Sequence, residues 1–307
     1  MALIDFKVLP GIDKQDTTSG AENRWVDCDN TRFRYGLPEK VGGWSSLITD
    51  TIVGVARREF AFVDLDGNRY VAIGTDKFLL IYFEGQLYDI TPLKTTLTSA
   101  TIATTNTSAI CSITTGTNHD LSVGDIVLLD TVTLPVGTGY VDADFENKLF
   151  QVTSITSATV FTITQSTAAT ATVGTGGSLS VKPYEQVGPA EQSYGYGWGI
   201  DTWSSGAWGE AASASDVSLE PGLWSLSNFG QVLVATIANG KTFTWNAGDA
   251  ARLTTRASTT TSGFETTNNP TATRVTLISP TTRHLIHLGT ETTIGDTSTQ
   301  DDMFIRF

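Results

Sequence analysis

A short module recurs along this chain. Arg69-Tyr-Val-Ala-Ile-Gly-Thr75 and Arg283-His-Leu-Ile-His-Leu-Gly-Thr290 each run from an arginine through an apolar stretch to Gly-Thr. Gln231-Val-Leu-Val-Ala-Thr-Ile-Ala-Asn-Gly240 follows the same plan more loosely. Each copy reads as a strand buried on both faces that ends in a turn. A chain that repeats one small antiparallel unit builds a propeller or an array.

The rest of the sequence supports an all-β reading. No window keeps apolar periodicity near 3.6 over ten or more residues, while 29 Gly, 9 Pro and abundant Thr and Ser punctuate the chain. Its 307 residues suffice for one large or two to three small domains. The net charge of −13 argues against wrapping nucleic acid through phosphate contacts. The same acidity suits a wall that DNA slides past, or simply an acidic soluble protein. Charge is uneven: residues 1–92 hold ten of the nineteen Lys and Arg, whereas Thr95–His119 and Leu149–Val181 contain no charged residue. Cys28 and Cys111 are too few for a disulfide scaffold. The start lacks a signal-peptide core, and Phe78–Phe83, the longest strongly apolar run, is too short to span a bilayer. The sequence reads as a protein made and folded in a cytoplasm, with no membrane-spanning segment.

Four regions follow from these patterns. Residues 1–51 read as an N-terminal arm with a hairpin: Thr31–Tyr35, a turn at Gly36-Leu-Pro-Glu39, and a return strand from Lys40. Residues 52–92 read as the first four-stranded blade, with an Asp-Gly turn in Asp64–Asn68 and a further turn at Glu84-Gly-Gln86. Residues 93–182 break that rhythm and read as an inserted β domain with few contacts to the blades. Residues 183–307 read as further blades. The second of these contains strands at Gln231–Ile237, Thr242–Trp245 and Gly248–Thr254. Met303–Phe307 reads as a strand cut short. Two to three blades cannot close a propeller, so the expectation is a longer native chain, or copies that complete one another.

Signals for chemistry are sparse. His284 and His287, three apart on one strand, point to opposite faces and do not form a metal pair. His119 sits in a Thr-rich turn. Asp64-Leu-Asp-Gly-Asn68 fits a hairpin turn better than a calcium loop. Gly195–Gly199 lacks the helix that a dinucleotide loop needs. The reading is a non-enzyme without metal or cofactor. The densest feature is Tyr194–Trp208, where Tyr194, Tyr196, Trp198, Trp203 and Trp208 alternate with Gly and Ser. Such rings can pack back onto the blades, form a subunit interface or make a sugar-stacking platform.

Gly11-Ile-Asp-Lys-Gln15, the stretch Asn23-Arg-Trp-Val-Asp-Cys-Asp-Asn-Thr-Arg-Phe-Arg-Tyr-Gly-Leu-Pro-Glu-Lys-Val-Gly-Gly-Trp44 and Leu223–Ala235 resemble the tail hub, or nozzle, proteins of short-tailed bacteriophages. The resemblance covers residues 11–92 and 190–256 most clearly, and 272–290 weakly. The insert matches only in being a β module. The resemblance implies a virion structural protein with β-propeller-like blades. Such a protein assembles in the host cytoplasm into a homo-oligomeric ring of six copies. The ring would meet a tail adaptor protein, anchor tail fibres or spikes, and touch exiting DNA non-specifically. The alternative is a carbohydrate-binding propeller or sandwich that stacks sugars on Trp198, Trp203 and Trp208.

Overall fold

The computed structural model describes residues 8–43, 45–46, 48–191, 220–259, 268–279 and 281–307. These residues are all-β: twenty strands and two single-turn 3-10 segments, Asp142–Asp144 and Thr297–Thr299. The chain divides into two compact units, residues 1–49 and 50–307.

The first unit is small and mostly exposed. A short parallel pair joins β1 (Leu9–Ile12) to β2 (Arg24–Trp25), and a hairpin joins β3 (Thr31–Arg34) to β4 (Leu37–Lys40). The hairpin turn sits at Tyr35-Gly36, one residue earlier than the sequence suggested, and the return strand begins at Leu37. Both turn residues have positive φ, 52° and 81°, as a two-residue turn that follows strand twist requires. Because Arg34 and Leu37 flank that turn, the next pair, Phe33 and Pro38, falls in a non-hydrogen-bonded position. Pro38 therefore sits in a strand without losing a ladder bond.

The second unit opens with an antiparallel meander: β5 (Ala56–Val63), β6 (Arg69–Thr75), β7 (Leu79–Phe83) and β8 (Gln86–Asp89). The chain then enters a closed six-stranded barrel. Its strands are β9 (Leu97–Thr104), β10 (Ile110–Thr114), β11 (Ile126–Thr133), β12 (Lys148–Ser157), β13 (Val160–Thr164) and β14 (Val173–Pro183). The entering and leaving strands run side by side: Lys94 N–H donates to the Pro183 carbonyl at 2.8 Å and Glu185 N–H to that of Pro92 at 2.9 Å. The barrel is thus an insertion through a two-stranded neck. A three-stranded sheet follows, β15 (Trp224–Phe229), β16 (Val232–Ile237) and β17 (Thr242–Asn246). The last sheet is β18 (Thr273–Ile278), β19 (Leu285–Thr290) and β20 (Ile305–Arg306). The all-β class, the blade-like sheets and the inserted β domain expected from the sequence are all present.

The repeated apolar strands have no polar face because they are sandwiched. In β6, Tyr70 and Ala72 face the second sheet, packing with Trp224, Leu233 and Trp245, while Val71 and Ile73 face the other way. That outer side is not open. Ile126 and Leu128 of β11, with Ile52, Leu93 and Tyr184, cover it. The barrel therefore makes more contact with the first sheet than its abrupt composition suggested. The same logic explains why Ile126-Val-Leu-Leu129 is continuously apolar: Val127 and Leu129 fill the barrel core, and their neighbours dock on the sheet.

The second sheet departs from its expected plan. Gly248–Thr254, read as an edge strand, is a series of turns. The Asn246 carboxamide accepts from Gly248 N–H and the Asp249 carboxylate from Ala251 N–H, both at 2.9 Å. These local bonds compete with a strand ladder. Ser258 makes the edge bridge to Thr244 instead.

Candidate functional site

Tyr194, Tyr196, Trp198, Trp203 and Trp208 lie outside the described residues. Three other places gather chemistry-bearing side chains: a turn at one end of the first sheet, the barrel neck, and the seam between the second and third sheets.

The turn is Asp64–Asn68. Asp64 Oδ1 accepts from the backbone of Asp66 and Asn68 at 2.9 and 2.8 Å, and Oδ2 accepts from Asn68 Nδ2 at 2.7 Å and the Tyr70 hydroxyl at 3.2 Å. Burial pushes this carboxyl upward, but the donors outweigh it and hold its pKa below the ordinary value. Both oxygens serve the hairpin, which is the turn reading rather than the calcium-loop one.

The neck carries a four-residue latch. Arg256 Nη1 donates to Asp89 Oδ2 and to the Thr91 carbonyl, each at 3.0 Å, and Nη2 donates to the Tyr184 hydroxyl at 2.6 Å. That hydroxyl donates to Asp89 Oδ2 at 2.6 Å. Thr91 completes the set through its hydroxyl, 2.6 Å from Asp89 Oδ1. The guanidinium also lies over the Tyr184 ring, 4.7 Å from its centroid, and Phe78 meets that ring edge-on at 5.6 Å. Burial and the Asp89 charge push the phenol far above its ordinary pKa, against the opposing pull of Arg256. The four residues come from three stretches: Asp89 and Thr91 from the end of the first sheet, Tyr184 from the barrel exit and Arg256 from the segment after β17. The latch ties the barrel neck to the end of the first sheet and to the segment after β17. Nothing in the local sequence marked these residues, because they meet only through the fold.

The seam between the second and third sheets is polar. Thr236 Oγ1 donates to Thr276 Oγ1 at 2.7 Å, Thr276 Oγ1 lies 3.1 Å from His287 Nδ1, and Ser225 Oγ donates to the Thr276 carbonyl at 2.9 Å. His287 is buried beside its cross-strand partner Arg306. Burial, then the Arg306 charge, lowers its pKa to about 4, so the ring is neutral at pH 7. A cleft of about 450 Å³ opens along this seam, with Arg283, His287, Arg306 and Phe307 among its lining residues. His284 precedes β19 and meets the ring of Phe307, which lines the same cleft as His287, at 6.3 Å. His119 is a barrel tie: its Nδ1 accepts from Leu121 N–H and its Nε2 meets the Ser157 carbonyl, both at 3.0 Å. Among the described residues, no three of His, Cys, Asp and Glu converge as a metal cage, and no helix is long and apolar enough to cross a membrane.

No protein-family model matches the chain, and no curated protein matches it. Among solved structures it is similar to phage phi92 endosialidase, at 13% sequence identity and a TM-score of 0.23. That match covers 72% of this chain and 32% of the other, so the chain spans about a third of that protein's length.

Proposed function

We propose that this chain is a virion structural protein of a bacteriophage tail, a hub or nozzle component that continues the DNA ejection channel and anchors fibres or spikes. One observation carries the reading. The opening hairpin with its Arg-Phe-Arg-Tyr-Gly-Leu-Pro-Glu-Lys sequence, a blade-like sheet, an inserted β module and further sheets follow one another in the order the resemblance implies. Under this reading residues 1–51 are an arm, 52–92 the first blade, 93–182 the insert and 183–307 further blades. The barrel docks on the first sheet and the neck latch holds it there, as suits a rigid wall component. Six copies would form the ring below a tail adaptor protein, assembled in the host cytoplasm. The chain acts without enzymatic chemistry, and a net charge of −13 keeps DNA from adhering to the wall.

Tyr194, Tyr196, Trp198, Trp203 and Trp208 would belong to a subunit or fibre interface. A buried interface ring contributes about 2 kcal/mol or more where it is a hot spot. Replacing Trp198 and Trp203 by alanine should then weaken assembly while leaving the melting temperature unchanged. The decisive experiment is a mass measurement and low-resolution image of the assembly purified with candidate adaptor and fibre proteins. A six-membered ring that retains those partners supports the reading. A monomer that retains none of them sinks it.

A further inference from the structure

We propose that the barrel is a hinged module: it pivots as one body on its two-stranded neck, and Arg256 is the catch that keeps it against the first sheet.

The barrel can move without unfolding. Its six strands pair with one another and close on themselves. Its core, which includes Ile102, Cys111, Ile113, Phe161 and Val181, shares no buried residue with the core between the first and second sheets. Displacing the barrel therefore breaks no strand ladder and opens neither core, the condition for a low-cost opening short of global unfolding.

Its hold on the sheet is small. Among the described residues, the barrel strands contribute Ile126 and Leu128 to the apolar patch that contains Ile73, Phe78 and Leu80. Ile126 and Leu128 are only half-buried there. Relative motion is the expected behaviour of two bodies joined by a small interface.

The neck is a narrow pivot. The chain enters past Pro92 and leaves past Pro183, and one bridge, Leu93 to Tyr184, joins the two strands. Lys94 N–H and Glu185 N–H donate across it. Neither proline has an N–H to add another rung. Arg256 lies outside both neck strands, in the segment after β17, yet it grips the two of them. It donates to the Thr91 carbonyl on the entering side and to the Tyr184 hydroxyl on the leaving side. It also pairs with Asp89 at the end of β8. Turning the neck pulls these groups apart, so the bonds of one guanidinium set how often the barrel opens.

Thiol modification tests this, and Cys111 is the internal control. Cys111 is fully buried in the barrel core, so it reacts when the barrel unfolds. Ile73→Cys, made together with Cys28→Ser, puts a second thiol under the docked barrel, at a position 8% exposed. Adding Arg256→Gln should speed the reaction of that second thiol with a maleimide about tenfold to a hundredfold, the shift in equilibrium that losing a charged hydrogen bond gives. The rate at Cys111 should not change. Tyr184→Phe keeps the ring in the patch and removes one hydroxyl, and it should speed the second thiol severalfold. Equal acceleration at both thiols would show that the latch stabilises the barrel fold and is no catch. An unchanged rate at the second thiol in both variants would show that the barrel does not pivot. Either result overturns the proposal.

Discussion

Two seams hold the three sheets of the larger unit together, and they are built from opposite materials. Between the first and second sheets lie Phe62, Tyr70, Phe83, Trp224, Phe243 and Trp245, with Tyr70 stacked on Phe83 at 4.7 Å and edge-on to Trp245 at 5.6 Å. Gly74 is where Trp224 seats: a methyl group there would lie 2.6 Å from the indole, whose Nε1 donates to the Thr75 carbonyl at 2.9 Å. Between the second and third sheets lie Ser225, Thr236, Thr242, Thr276 and His287, joined by hydroxyl hydrogen bonds. The sheet geometry repeats while the chemistry does not. An apolar seam gains from area and tolerates small shifts. A hydroxyl seam gains little from area, but it penalises any register in which a donor lacks its acceptor. The first seam therefore supplies stability, and the second supplies specificity of alignment.

The largest expected effect tests the first half of that contrast. Trp245 is 2% exposed, and its Nε1 donates to the carbonyls of Arg252 and Thr255 at 2.9 and 3.1 Å. Trp245→Ala should cost about 3–5 kcal/mol, the usual range for deleting a buried aromatic. Chemical denaturation of both proteins measures it. A loss no larger than that of a single hydroxyl deletion in the other seam would abolish the distinction.

Next comes pH. His287 has a folded pKa of about 4, against about 6.5 in the unfolded chain. Between those values the unfolded state binds a proton that the folded state refuses, so stability falls as pH drops through this window and is complete above it. The shift corresponds to roughly 3 kcal/mol once the pH lies below both values. Carboxylates titrate over part of the same range, so the measurement is the difference in pH slope between the native chain and His287→Gln. Identical slopes from pH 7 to 4 would show that His287 is not held neutral in the seam.

How far sequence carried the reading differs between the seams. The first was legible because its strands, such as Gln231–Ile237, are apolar on both faces, which only burial on both sides explains. The second was not. In Thr242-Phe-Thr-Trp245 the alternation suggests one wet face, yet Thr242 and Thr244 are 2% and 5% exposed. Hydroxyls can enter a core when their partners arrive from another sheet, and that pairing is invisible in a local pattern. The missed turns after Asn246 are a different case. Asn246-Ala-Gly-Asp249 carries the signal for side-chain-capped turns, and those local bonds prevail over the strand pattern of the first blade. The neck latch and the cleft along the second seam combine residues far apart in sequence, from Asp89 to Arg256 and from Phe229 to Phe307. Neither had a local signature to read.

A third prediction probes the hydroxyl seam directly. Thr276→Val keeps the side-chain shape and removes the group that bridges Thr236 and His287. Two buried partners then lack a bond, and about 1–3 kcal/mol should be lost. Equal stability of the variant and the native chain would mean that water or rotamer changes replace the bridge.

The smallest expected effect is the sharpest, because it depends on pairing rather than on content. In Thr236→Val combined with Thr276→Val, the 2.7 Å hydrogen bond is lost from both ends, so neither hydroxyl is stranded by the other. Replacing both partners by apolar groups of the same shape can be nearly neutral. What stays unpaired is His287 Nδ1, together with the Thr242 hydroxyl, which loses its 2.9 Å bond to Thr236. The double variant should therefore lose less than the sum of the two single losses, by about 0.5–3 kcal/mol of favourable coupling. A full double-mutant cycle by denaturation gives that number. Strict additivity would mean the two threonines act independently, and the seam would then be a set of separate contacts rather than a connected network that fixes alignment.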